Sequence, residues 1–155
     1  MRTFLFKLHN NLLGLNTRVA KFVANHPRTC TFCDIRGEPG EYPETTLHLF
    51  YECTVIEENI QQFFHWIRAD IIVGSRNYFT GFDNPNIHAN KLLYIVTSIL
   101  KKCIWDCKLR FTVPTIEILK QNFLVEINKL YSTSSFIRDL ITKSALFANH
   151  NDIHF

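Results

Sequence analysis

Three cysteines and a histidine between positions 30 and 53 constrain this chain more than any other feature. Cys30-Thr31-Phe32-Cys33 sets two thiols three positions apart, and His48-Leu49-Phe50-Tyr51-Glu52-Cys53 sets an imidazole and a third thiol five apart. Between the pairs, Gly37, Pro39, Gly40 and Pro43 give the spacer the residues that reverse a chain at low cost. A tetrahedral zinc ion takes four nitrogen or sulfur ligands, and a Cys-x2-Cys turn presents two thiolates to one ion. Two ligands, a turn and two more ligands predict a structural zinc site at Cys30, Cys33, His48 and Cys53. The competing reading is three buried small cysteines beside a satisfied histidine. His26 competes with His48 for the fourth place; it ranks lower because Pro27 follows it and because His48 has its own cysteine partner. On a regular helix, positions 48 and 53 lie about 140° apart around the axis, so His48 is expected in a loose first turn. Four protein ligands leave no open position, which argues against catalysis by the metal.

The same residues carry a resemblance. Cys30-x2-Cys33 followed by Glu44-Thr45-Thr46-Leu47-His48-Leu49-Phe50-Tyr51-Glu52-Cys53 resembles the zinc-binding segment C-terminal to many reverse transcriptases of LINE-type (non-long-terminal-repeat) retrotransposons. The lead-in Phe4-Leu5-Phe6-Lys7 and Asn11-Leu12-Leu13-Gly14-Leu15-Asn16-Thr17-Arg18 is similar to what precedes that segment. Asn90 with Leu92-Leu93, Ile104-Trp105-Asp106-Cys107-Lys108 and Val113-Pro114 resemble the helical C-terminal region of the same polyproteins. The likeness spans residues 4 to 131, and its most specific part is 44–53. It implies a non-catalytic accessory region that helps hold RNA, or an RNA/DNA hybrid, during target-primed reverse transcription. It also implies upstream reverse transcriptase domains as partners, and an intracellular ribonucleoprotein of nucleus and cytoplasm.

Composition sets the bounds. A chain of 155 residues has one domain's length, and 46% hydrophobic residues with 14 phenylalanines predict a real core. The net charge of +3 is unevenly spread: six Lys/Arg against two acids in 1–40, five acids and no Lys/Arg in 41–60, nine Lys/Arg against five acids in 91–155. Basic ends around an acidic middle fit a polyanion on some faces, and equally fit ordinary solvated helices. Five cysteines do not suggest a disulfide framework, and a reducing compartment suits them. No apolar run has the length of a membrane span, and Lys7 and His9 interrupt any signal-peptide core.

Hydrophobic periodicity predicts an all-α fold: a small helical bundle with a zinc-stapled loop in its N-terminal third. Leu5, Leu8, Leu12 and Leu15 mark a helix over 3–13 stopped at Gly14, and Asn16 is expected to cap a short second helix. From Thr45 or Thr46 a long helix is expected to carry Leu49, Cys53, Ile56, Ile60, Phe63, Phe64, Ile67 and Ile71, with Glu44 favouring its positive end and Arg68 its negative end. Residues 1–73 then form a zinc-binding subdomain, 74–90 a linker, 91–148 a helical subdomain and 149–155 a fraying tail. Asn90 is expected to cap a helix reaching Arg110, with Leu92, Val96, Ile99, Cys103 and Cys107 buried. Pro114 opens a helix with Ile116, Leu119, Phe123, Ile127 and Leu130 on one face, and a last helix covers 136–148.

The opposite stripe of the helix after Asn90 holds Tyr94, Ser98, Lys101, Trp105 and Lys108. Lysines flanking an indole suit phosphates and a base, although the same pattern describes a Trp packed among snorkelling lysines. Arg18, Lys21, Arg28, Tyr94, Lys101, Trp105 and Lys108 are thus the candidate nucleic-acid contacts. No paired-aspartate polymerase signature, phosphate-binding glycine loop, Gly-x-Ser-x-Gly or His-Glu-x-x-His is present, so no catalytic residue and no small-molecule substrate are expected. The rival reading is a zinc-stapled scaffold that docks onto protein, with Trp105 as a buried anchor.

Overall fold

A computed structural model describes residues 1–37, 42–67, 73–83, 85–148, 150 and 153. All regular structure among them is helical, and an isolated antiparallel bridge joins Thr29 to Pro43. The expected all-α fold is therefore what the chain forms. Pro39, Gly40, Arg68 and Ile71, to which the sequence assigns roles above, lie outside the described residues.

Helix α1 (Arg2–His9) buries Phe4 and Leu8, one turn apart on one face. It ends earlier than expected: Asn11, at φ 52°, reverses the chain, and Gly14 does not. Asn tolerates the left-handed region because its short polar side chain bonds locally. Leu12 is exposed as a result, and Leu13 and Leu15 enter the core instead. Helices α2 (Asn16–Val19) and α3 (Thr31–Arg36) are single turns around the first ligand pair, α3 closing on Gly37 at φ 85°.

The long helix expected from Thr45 is in fact broken. A π-helical turn, His48–Glu52, comes first; Cys53 is extended at ψ 118°, and α4 (Thr54–Trp66) starts afresh. Val55, Ile56, Ile60, Phe63 and Phe64 form its buried stripe. After α5 (Ser75–Thr80) comes the longest element, α6 (Ile87–Leu109), capped by Asn86 and not by Asn90. Asn86 Oδ1 accepts the His88 and Ala89 N–H groups at 2.9 and 3.2 Å, two of the donors a helix start leaves unpaired. Helices α7 (Ile116–Thr133) and α8 (Ser135–Ser144) are capped by Thr115 and Ser134.

Helix α6 is the central post: α7 and α8 pack against it, while α4 packs on α7. Phe63 meets Phe123 edge-on at 5.3 Å and Trp66 at 5.4 Å, and Phe123 reaches Phe147 at 6.0 Å. One cluster of buried residues runs from Phe4 to Ile153. The stretch expected as a linker lends α5 to that core, with Tyr78 fully buried. The expected fraying tail also returns: His150 Nε2 meets the Trp66 carbonyl at 2.7 Å, and Ile153 is buried. None of the described helices is long and apolar enough to cross a membrane.

Candidate metal centre

Cys30, Cys33, His48 and Cys53 converge, with one ligand atom from each lying within 4.8 Å of all the others. Cys33 Sγ stands 3.6 Å from Cys53 Sγ and 3.5 Å from His48 Nε2, and Cys30 Sγ stands 3.9 Å from Cys53 Sγ. The three sulfurs are sealed from solvent and His48 is 7% exposed. This buried Cys3His set can hold a metal ion. His26 is not part of it; its Nε2 lies 3.3 Å from Asn16 Oδ1.

The π-helical turn explains how the second pair reaches the site. The Cys53 N–H donates to the His48 carbonyl at 2.9 Å, an i to i+5 bond that seats residue 53 above residue 48. A regular α-helix would have aimed the two side chains far apart. At the first pair, α3 begins at Thr31, so Cys30 and Cys33 flank one tight turn. The Cys30 N–H donates to the Tyr42 carbonyl at 2.9 Å, and the Tyr42 ring lies flat on His48 with centroids 5.2 Å apart.

Crowded thiols oppose one another's ionisation. Contact with Cys53 holds the Cys30 thiol down at about 6, while the same contact and burial push Cys53 upward. A dication bound by this set would displace the thiol protons.

Beside the sulfurs lies a polar network built on Glu44, which has no exposed surface. Its Oε1 accepts the Asn16 N–H at 2.7 Å and pairs with Lys108 Nζ at 3.2 Å; its Oε2 accepts the Thr31 N–H at 2.9 Å and the Thr31 hydroxyl at 2.7 Å. One carboxylate thus satisfies the first N–H of both α2 and α3, where unpaired donors carry partial positive charge. Sequence reading gave Glu44 only a helix-dipole role, and nothing in its spacing identifies these donors. Asn16, expected as a cap, is likewise a buried connector: its side-chain amide donates to the Thr29 carbonyl at 2.8 Å.

The candidate nucleic-acid residues separate into three groups. Arg18 is half-buried on α2; Lys21, just after that helix, and Arg28, ahead of the first cysteine pair, are exposed. Tyr94 is exposed, its hydroxyl 3.1 Å from His9 Nε2, about 16 Å along α6 from Trp105. Lys101 and Lys108 turn inward, which corrects the reading of this stripe as an outer face. Lys101 is 1% exposed and donates to the Tyr78 carbonyl at 2.8 Å, its ammonium over the Tyr78 and Phe79 rings. Burial lowers its pKa to about 8. Lys108 is spent on Glu44, with the half-buried Trp105 ring 5.3 Å from its Nζ. The physical reason is that α6 is enclosed on most sides, so its polar stripe has little solvent to face. Cys103 and Cys107 are buried on α6 as expected.

Compared with known proteins, the chain matches no family model, no curated protein and no solved structure.

Proposed function

We propose that this is a non-catalytic, zinc-organised module that binds single-stranded nucleic acid, RNA in the first instance, as the resemblance to LINE-type reverse transcriptases implies. Its setting would be an intracellular ribonucleoprotein of nucleus and cytoplasm, in company with upstream reverse transcriptase domains. Zinc suits the donor set. Zn–S bonds of about 2.3 Å at the tetrahedral angle put two sulfurs about 3.8 Å apart, and sulfur about 3.6 Å from nitrogen. The observed 3.9, 3.6 and 3.5 Å separations sit at those values. Three thiolates and an imidazole favour zinc over oxygen-seeking ions.

The observation that carries nucleic-acid binding is the distribution of cations around the metal centre. Arg18 lies in α2, Arg28 precedes the ligand pair and Arg36 ends α3; Arg110 caps the end of α6, near where Lys108 joins Glu44. Arg28, Arg36 and Arg110 are exposed, and the anchored network holds their elements together. Guanidinium groups suit phosphates, which they meet in pairs of hydrogen bonds.

A fluorescein-labelled single-stranded RNA, titrated by anisotropy across a salt series, tests this. Log affinity is expected to fall against log salt with a slope of about −2 or steeper, and binding is expected to disappear after zinc chelation. Arg28→Glu with Arg110→Glu should weaken binding. Absence of binding by folded, zinc-loaded protein overturns the reading. The second reading, a protein-docking scaffold, draws on Phe6, Phe22 and Leu109, which are 61, 80 and 58% exposed. An apolar interface would show little response to salt.

A further inference from the structure

A cleft of about 460 Å³ opens between α2, α3 and the C-terminal end of α6, within the range of small-molecule sites, about 300–1,000 Å³. Its walls are apolar at Pro27, Ile35 and Phe111, and its polar groups include Asn16, Asp34 and Lys108. Three features distinguish it from a packing defect.

Phe111 is 75% exposed and holds φ 53°, a region where an aromatic residue is disfavoured. Folding gains little from a large ring so displayed, and glycine would satisfy the backbone better. Asp34 is half-used: its Oδ2 accepts the Thr29 hydroxyl at 2.6 Å, while its buried Oδ1 has no partner among the described residues. An unpartnered buried carboxylate oxygen is costly, and a turn of the Asp34 side chain toward the cleft it lines would offer that oxygen to an N–H donor. Finally, Arg18, Arg28, Arg36 and Arg110 are each the immediate sequence neighbour of a lining residue, namely Val19, Pro27, Ile35 and Phe111. The cleft is thus lined by an aromatic ring and a carboxylate, and four arginines adjoin its lining residues along the chain.

We infer that this cleft receives one unpaired nucleotide, with its base stacked on Phe111, an amino-bearing base edge on Asp34, and the flanking phosphates drawn to the arginines. The inference rests on the nucleic-acid reading above and specifies its site. An amino-bearing edge means adenine, cytosine or guanine in preference to uracil, which has no exocyclic amine and whose N3–H lies between two carbonyl oxygens that a carboxylate repels. Thr31 also lines the cleft, so the turn that supplies Cys30 and Cys33 forms part of its wall. Metal loading and nucleotide binding are thereby linked through one helix.

The test uses the zinc-loaded full chain with oligo(C), oligo(A) and oligo(U) RNA and with Phe111→Gly and Asp34→Asn variants. Phe111→Gly is expected to raise the unfolding midpoint, because glycine relieves the left-handed backbone, and to weaken oligo(C) about tenfold through lost stacking. A merely structural Phe111 would not give higher stability with lower affinity. Asp34→Asn is expected to narrow the preference for oligo(C) over oligo(U) while leaving the salt slope unchanged. Salt-sensitive RNA binding that neither variant alters overturns the cleft and leaves the nucleic-acid reading standing. No binding to any of the three RNAs overturns both. Cytidine monophosphate, titrated by chemical-shift mapping, should move the amides of 14–19, 31–36 and 108–112; shifts confined to other segments also overturn the cleft.

Discussion

Glu44 carries more of the architecture than its single charge suggests. Its carboxylate is fully buried, accepts from two backbone N–H groups and one hydroxyl, and neutralises Lys108. Glu44→Ala should destabilise the zinc-loaded protein by about 3–5 kcal/mol in urea unfolding, since it strands Lys108 as a buried charge. Glu44→Gln keeps the shape, and pairing it with Lys108→Met should recover part of the loss. Recovery absent from the double variant would mean that the backbone donors, not the ion pair, dominate. Lys101 is the opposite case, a buried ammonium with no carboxylate paired to it among the described residues. Its folded pKa of about 8 lies below the ordinary 10.5, so the unfolded chain binds this proton more tightly. The cost to folding is full below about pH 8 and is relieved as pH rises toward 10.5. Lys101→Met should therefore stabilise the protein at neutral pH by about 1–3 kcal/mol and flatten that rise in a series of midpoints against pH. A destabilised variant would show that the bond to the Tyr78 carbonyl outweighs the burial of charge.

At the scale of elements, the termini of helices are where spacing and packing part company. The helical period of α6 is plain in the sequence, but it continues one turn upstream of Asn90 through Ile87 and Ala89. By spacing Asn90 reads as the cap, and the fold sets the cap four positions upstream, at Asn86. Asn86→Ala should cost about 1 kcal/mol, whereas the same change at Asn90, inside the helix, removes no cap; paired thermal melts decide this. The π-helical turn at His48–Glu52 illustrates a second limit. Spacing showed that a regular helix fails to unite His48 and Cys53, and the fold meets that geometry with an i to i+5 bond followed by an extended Cys53. Which irregularity solves the problem depends on the neighbours, here Tyr42 stacked on His48 and Cys33 beneath it.

Across the whole molecule, the Cys3His cluster belongs to one continuous core. Because α3 and the π-helical turn meet α4, a metal held there would link its binding to packing of the N-terminal half, and its binding free energy would become folding free energy. Chelation should strip hydrogen-exchange protection from α3 and the π-helical turn first, with the central part of α6 the last to open. Equal loss everywhere would make the protein one cooperative unit, and no loss would make the Cys3His set a plain packing cluster.

The Cys3His pattern, the all-helical class and the buried stripes of α4 and α7 are local properties. They follow from residue spacing and side-chain type, so the sequence alone determined them. Which charges face water was decided elsewhere. Lys101 and Lys108 occupy helix positions that a lone α6 would leave in solvent, and Glu44 stands in a loop beside Pro43. Only the closing of α2, α3 and α5 around α6 buries them. Burial depends on what arrives from distant parts of the chain, and no spacing within one helix encodes that arrival.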